Sequence, residues 1–226
     1  MRGPTVFVIS GGPIGDLTFL HAQLEALVPM KTVCADGGAR HLDALGIAPQ
    51  VIIGDMDSLE PDLLLRMEGR GSRIIRHPVG KDRTDTWLAL EYALDLEPEQ
   101  VVIFGALGGR VDHTLANVSL LALAAERGVA AKLIDEWGEM SVVAGNGKAV
   151  IDGETGQTVS LLPLTTRVAG ITLTGFEYSL DNGTMEIGKP YGISNRLIAE
   201  NGTVAVASGM LLVIRYFRPG MFPEGA

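Results

Sequence analysis

From Thr5 to about Ala144, short apolar runs alternate with longer stretches of helical periodicity. This alternation restricts that part of the chain to repeated βα units on a parallel sheet. The strand candidates are residues 6–10, 32–35, 51–53, 73–76, 101–104 and 130–134, most of them apolar throughout, as strands covered on both faces are. Between them the clearest helix spans residues 112–127. There Asp112 is expected to cap the start, Leu115, Val118, Ala122 and Ala125 to form the packed stripe, and Gly128 to end it. A second helix over residues 82–96 carries Trp87, Leu90, Tyr92 and Leu94.

After Asn146-Gly147 the texture changes to runs rich in Thr, Val and Gly, at residues 158–162, 168–173, 203–207 and 211–216. Turn dipeptides such as Asp152-Gly153 and Asn182-Gly183 separate them. The expected fold is therefore a Rossmann-like α/β domain over residues 1–145, followed by an antiparallel β-sandwich over residues 146–226.

Nearly all of the net charge of -9 falls in residues 1–145. An acidic chain lacks the Lys/Arg clusters that neutralise a phosphate backbone, which argues against nucleic-acid binding and leaves small, metal-bound phosphates as candidate ligands. The single Cys34 forms no internal disulfide, and four scattered histidines give no zinc spacing. The first residues are too short an apolar stretch for a signal peptide, and no run is long enough for a membrane span, so the expected location is cytoplasmic.

In open α/β sheets ligands bind beyond the carboxyl ends of the strands, so the residues that follow each apolar run carry the functional information. Here they are acids and glycines: Asp36-Gly37-Gly38, Gly54-Asp55-Met56-Asp57-Ser58, Lys81-Asp82-Arg83-Thr84-Asp85 and Gly108-Gly109-Arg110-Val111-Asp112-His113. Asp55 and Asp57 are two apart, so an extended backbone would project both carboxylates the same way, toward a shared hard cation. Magnesium suits such a site, because it is usually held by one or two carboxylates together with substrate phosphates. The glycines allow close backbone approach to phosphate, Arg110 can clamp a phosphate bidentately, and Lys81 supplies a point charge.

Taken singly, each feature has a plainer reading: a helix cap, a turn, a surface ion pair. Their convergence on one edge is what matters, since grouped carboxylates repel one another unless a cation compensates. Cys34 reads as a small buried hydrophobe, His21 and His41 as surface or boundary residues of helices, and His77 as a loop residue before Pro78. His113 is set apart by its neighbours Arg110 and Asp112.

Read together, these segments resemble the thiamine diphosphokinase family in order and spacing. The pattern extends to Gly105-Ala106-Leu107 before Gly108, to Thr114-Leu115-Ala116-Asn117 after His113, and to Gly192-Ile193-Ser194-Asn195 near the end. The resemblance implies a homodimer with active sites between subunits, and transfer of the terminal diphosphate of ATP to the hydroxyl of thiamine. By motif, Asp55, Asp57 and Asp85 would surround Mg2+, with Asp36 and Asp82 nearby. Arg110 and Asp112 would face nucleotide and substrate, and Ser194 with Asn195 would hold thiamine from the partner subunit. Gly37, Gly38, Lys81, Thr84, Gly108, Gly109 and His113 complete the implied binding set. Met56 stands where the family often has an aromatic residue, and Arg196 where an acidic one is common.

The implied reaction is in-line attack on the β-phosphorus with AMP leaving, and either Asp112 or Asp85 is a candidate for the proton acceptor. Another acceptor alcohol such as a hydroxymethylpterin, a phosphohydrolase, and a non-catalytic nucleotide or thiamine sensor are the competing readings. The chain has no Walker A sequence, which sets aside an ordinary P-loop kinase.

Overall fold

A computed structural model describes residues 3–80 and 82–219. The order of elements in the first part is β1 (Thr5–Ile9), α1 (Leu17–Leu27), β2 (Lys31–Ala35), a single 3-10 turn (Asp36–Gly38), α2 (Ala39–Ala44), β3 (Val51–Gly54), α3 (Pro61–Gly69), β4 (Arg73–Arg76), α4 (Asp85–Leu94), β5 (Gln100–Phe104), α5 (Val111–Glu126) and β6 (Ala130–Ile134). The second part holds β7 (Gly138–Ala144), β8 (Gly147–Asp152), β9 (Thr158–Pro163), β10 (Arg167–Thr174), β11 (Leu180–Glu186), β12 (Asn195–Arg196), β13 (Asn201–Val206) and β14 (Met210–Tyr216). Packing divides the chain between Glu136 and Trp137, ahead of the change in texture near residue 145. β7 lies beyond that division and pairs antiparallel with β14.

In the first unit six parallel strands run in the spatial order β6-β5-β1-β2-β3-β4. Sequence order therefore reverses between β1 and β5, and a sheet of this kind opens its ligand crevice at that point. The central strands are buried along their whole length, as TVFVI in β1 and VIIG in β3 require of residues with few polar atoms. Phe7 and Phe104 pack with ring centroids 5.1 Å apart across the β1/β5 pair. The Thr84 hydroxyl caps α4 by accepting the Trp87 N–H at 3.2 Å, which places Asp85 in the first turn.

α5 corrects two expectations. Its N-cap is Arg110, with Asp112 one residue inside the helix, and its buried face is Asn117, Leu120, Leu121 and Ala124, leaving Leu115 63% exposed. The helix is apolar nearly all round, so periodicity alone could not select the packed face.

The second unit consists of two antiparallel sheets, β12-β9-β14-β7 and β11-β10-β13-β8. Their facing side chains, among them Val159, Leu161, Ile171, Val204 and Leu211, form one core. This is the sandwich expected from the alternating pattern. Among the described residues no helix is long and apolar enough to cross a membrane.

Candidate active site

The loops leaving the carboxyl ends of β2 and β3 hold the acids. β2 runs directly into the buried turn Asp36–Gly38, where Asp36 adopts a φ of 36°, a conformation non-glycine residues seldom take. A Cβ on Gly38 would collide with the backbone carbonyl of Ile9, so only glycine lets this turn lie against β1. At the end of β3, a Cβ on Gly54 would lie 2.8 Å from Asp36 Cβ and 2.9 Å from Asp85 Oδ1. The absent side chain brings Asp36 and Asp85 to the same stretch of backbone.

The carboxylates of Asp36, Asp55 and Asp57 converge, each offering an oxygen within 4.8 Å of the others. The means differs from the extended backbone expected across Asp55 and Asp57. Met56 takes a φ of 65°, the Asp57 N–H donates to Asp55 Oδ1 at 3.3 Å, and the loop folds back on itself. Ser58 then fastens it, donating its N–H to Asp36 Oδ2 at 3.1 Å and its hydroxyl to Asp57 Oδ1 at 3.0 Å. Burial drives the Asp36 pKa upward against the Ser58 N–H, and the charges of Asp85 and Asp55 add to the rise. Asp36 Oδ1 is buried and has no hydrogen-bond partner among the described residues.

Asp36 and Asp55, together with Asp85, line a cavity of about 480 Å³ at the β1/β5 switch point. The loop after β1 contributes Ser10, Gly11 and Gly12. The β2 and β3 loops contribute Asp36, Gly37, Asp55 and Ser58, and the first turn of α2 contributes Arg40. The start of α4 contributes Arg83, Thr84, Asp85 and Thr86, and the β5 loop with α5 contributes Gly105, Gly108, Arg110, His113 and Asn117. Gly38, Asp57, Asp82, Gly109 and Asp112 do not line it: Asp57 joins through the carboxylate cluster, Asp82 is exposed, and Asp112 is held by Arg110. Lys81 lies outside the described residues.

Arg110 grips Asp112 with two bonds, Nε to Oδ1 at 3.1 Å and Nη2 to Oδ2 at 2.6 Å. That grip, more than the His113 N–H, lowers the Asp112 pKa to about 2 and raises that of Arg110. Arg83 is similarly engaged, at 2.5 Å from Glu91.

Several contributors fall outside the residues expected from sequence. The Ser10 and Thr86 hydroxyls are 2.6 Å apart in a buried hydrogen bond, Asn117 Nδ2 donates to the Ala106 carbonyl at 2.8 Å, and His41 Nε2 donates to the Gly12 carbonyl at 2.8 Å. Gly12 N–H in turn donates to Gly105 O at 2.8 Å, joining the β1 and β5 loops. The signal for the first of these loops was present: Ser10-Gly11-Gly12 follows a strand just as Asp36-Gly37-Gly38 does.

In the second unit Ser194 is exposed with a φ of 60°, and its N–H donates to Ser160 Oγ at 3.0 Å. Asn195 is buried. Its amide is committed to the backbone of Tyr178, accepting the N–H at 3.0 Å and donating to the carbonyl at 2.8 Å. Arg196 faces Glu177 at 3.8 Å.

An α/β unit with acids and glycine turns gathered at its switch point, followed in the chain by a β-sandwich unit, defines a phosphotransferase of the two-domain type. The family model described as "Thiamin pyrophosphokinase, catalytic domain" matches residues 29–133, and "Thiamin pyrophosphokinase, vitamin B1 binding domain" matches residues 148–211. The chain belongs to the thiamine pyrophosphokinase family. It is 33% identical to the thiamine pyrophosphokinase of Bacillus subtilis over 93% of this chain and 98% of that one. The crystal structure of thiamine pyrophosphokinase from Bacillus subtilis superposes with a TM-score of 0.82 at 31% identity, covering 95% of this chain and 99% of the other. That of thiamin pyrophosphokinase from Geobacillus thermodenitrificans gives 0.81 at 29% identity, covering 96% and 100%.

Proposed function

We propose that this chain transfers the terminal diphosphate of ATP to the hydroxyl of thiamine, giving thiamine diphosphate and AMP with the help of Mg2+. The observation that carries this reading is the meeting of Asp36, Asp55 and Asp57 within 4.8 Å at the switch point of the sheet. The acids suit a hard divalent cation on two counts: they are all oxygen donors, and the buried Asp36 Oδ1 has no hydrogen-bond partner among the described residues. Asp36, Asp55 and Asp57 would hold the ion, with Asp85 beside them. When bound, Mg2+ would neutralise charge on the phosphate oxygens.

The remaining work is positioning by the protein. The N–H groups and open backbone of the Ser10–Gly12, Gly37–Gly38 and Gly105–Gly109 loops would cradle the phosphates, with Thr84, Arg110 and His113 alongside. The thiamine oxygen forms a bond to the β-phosphorus as the bond from that phosphorus to the α,β-bridging oxygen breaks, and AMP leaves with that oxygen. The hydroxyl proton passes to a carboxylate. We assign it to Asp85, which lines the cavity, rather than to Asp112, which does not line it, has both carboxylate oxygens engaged by Arg110, and has the role of orienting that arginine.

The second unit would receive thiamine near Ser194, with Asn195 shaping the neighbouring Tyr178 backbone. The proposed assembly is a homodimer with sites between subunits, to which sedimentation equilibrium gives a direct answer. The proposed compartment is the cytoplasm, in keeping with the buried free thiol of Cys34. Incubating the protein with Mg2+, ATP and thiamine should yield thiamine diphosphate and AMP in equal amounts, and Asp57→Ala should abolish both without unfolding the protein. AMP formed at full rate without thiamine, or undiminished turnover by Asp57→Ala at saturating Mg2+, would contradict the reading.

A further inference from the structure

Three arginines line the cavity, and two are occupied: Arg83 with Glu91 at 2.5 Å and Arg110 with Asp112 at 2.6 Å. Arg40 alone among them has no carboxylate at ion-pair distance among the described residues, although Asp36 and Asp55 line the same cavity. Its side chain is nevertheless fixed in place. Nη1 donates to the backbone carbonyl of Ser58, reaching from the first turn of α2 to the end of the β3 loop. The guanidinium also lies across Gly37, where a Cβ would stand 2.9 Å from Nη2 and 3.4 Å from Cζ.

Gly37 has no positive φ that would demand glycine. The nearest obstacle to a side chain there is the Arg40 guanidinium itself, followed by Ser58 Cβ at 3.4 Å. The missing Cβ leaves room for the guanidinium in this position, from which a side chain at 37 would displace its flexible end. A guanidinium carries five donors, and one bond to Ser58 leaves the others for a ligand. Held at the border of an acid cluster without pairing to it, this cation is placed to bind an anion that the cluster itself engages through a metal. Phosphate has the matching geometry.

We infer that Arg40 binds a non-bridging oxygen of the terminal diphosphate of the nucleotide, and that Gly37 is glycine so that the guanidinium can lie flat for this contact. The inference rests on the proposed function and adds to it a residue that distinguishes ATP from AMP. A purely structural alternative is that Arg40 only ties down the Ser58 carbonyl, a task a neutral amide donor could also perform.

The test measures calorimetric binding of ATP and of AMP, each with Mg2+, to the full chain and to Arg40→Ala, Arg40→Gln, Arg40→Lys, Gly37→Ala and the double variant Gly37→Ala/Arg40→Ala. Loss of one charge-assisted phosphate contact should weaken ATP binding by roughly ten- to a hundred-fold in Arg40→Ala and Arg40→Gln, with AMP affected less than about twofold. Arg40→Lys, which keeps the charge, should recover most of the ATP affinity. Gly37→Ala should also weaken ATP selectively, yet add little in the Arg40→Ala background, because both changes remove the same contact.

Equal losses for ATP and AMP, or wild-type discrimination by Arg40→Gln, would reduce Arg40 to a loop tie and overturn the inference. If the wild-type protein makes thiamine diphosphate while Arg40→Ala keeps the wild-type ratio of ATP to AMP affinity, the inference alone falls. If the wild-type protein binds neither nucleotide, the proposed function falls with it. Arg40→Lys and Gly37→Ala keep the question open to measurement should Arg40→Ala fail to fold.

Discussion

The Ser58 N–H donates to Asp36 Oδ2 at 3.1 Å and so fastens the loop after β3 to the turn after β2. The other oxygen of the same carboxylate, Oδ1, is buried with no partner among the described residues. One side chain therefore locks two loops together while presenting its second oxygen to a group of like charges. Such an arrangement raises the electrostatic energy of the metal-free protein and is relieved by a cation.

Metal removal follows directly from this. The chelated protein should melt at a lower temperature than the Mg2+-loaded one, by an amount corresponding to about 2.7 kcal/mol when the free ion is at a hundred times its dissociation constant. Asp55→Asn should abolish this Mg2+-dependent shift and lower turnover at least a hundredfold. Identical melting of wild-type protein with chelator and with Mg2+ in a scanning calorimeter would refute the metal site.

The Arg110–Asp112 pair sets a pH dependence. The Asp112 pKa is lowered from 3.8 to about 2, so whatever the pair contributes is present above 3.8 and is lost as pH falls toward 2. Both side chains are exposed, and salt screens the interaction. An acid limb of the rate profile above pH 4 must then belong to another group. Asp112→Asn should lower turnover by about tenfold through a less well oriented Arg110, while leaving the position of that limb unchanged. A displaced limb in the variant's pH–rate profile would return the proton-accepting role to Asp112.

Legibility from sequence followed how local each signal was. The strands from Val6 to Ile134 and the acids behind them could be read because apolar runs and the polar residues after them are adjacent in the chain. The convergence of Asp36 with Asp55 and Asp57 on one edge could be read, but the left-handed backbone at Asp36 and Met56 that achieves it could not, since the spacing of Asp55 and Asp57 pointed to an extended chain. Arg40 escaped notice because its importance comes from a carbonyl eighteen positions away and from a glycine whose need is steric rather than conformational. The packed face of α5 could not be read from a helix with alanine and leucine on every side.

Asn117 offers a test of how the β5 loop is held. Its Nδ2 donates to the Ala106 carbonyl at 2.8 Å within a buried setting, so Asn117→Leu leaves that carbonyl without a donor. The expected cost is about 1–3 kcal/mol in urea unfolding, with a several-fold rise in KM for ATP as the Gly105–Gly109 loop loosens. A variant with wild-type stability and KM would show that the loop is held by its backbone alone.

Asn195 should act on thiamine through Tyr178. Both ends of its amide are used by the Tyr178 backbone, and the residue is 5% exposed, so little of the group remains to meet a ligand directly. Tyr178, by contrast, is 66% exposed and free to present its ring. Asn195→Asp keeps the acceptor for the Tyr178 N–H but turns the donor into an oxygen facing the Tyr178 carbonyl. The repulsion and the lost bond together should cost about 1–3 kcal/mol. If thiamine is received in this unit, KM for thiamine should rise by about tenfold in Asn195→Asp while KM for ATP stays within about twofold, since one misplaced positioning element has that scale of effect. Ser194→Gly provides the contrast: at a φ of 60° glycine relieves backbone strain, so this variant should be at least as stable as the parent, and any rise in its KM for thiamine would report the lost hydroxyl alone. Steady-state kinetics varying each substrate separately would decide the matter, because equal changes in both KM values for Asn195→Asp would mean that the residue supports the fold without shaping the thiamine site.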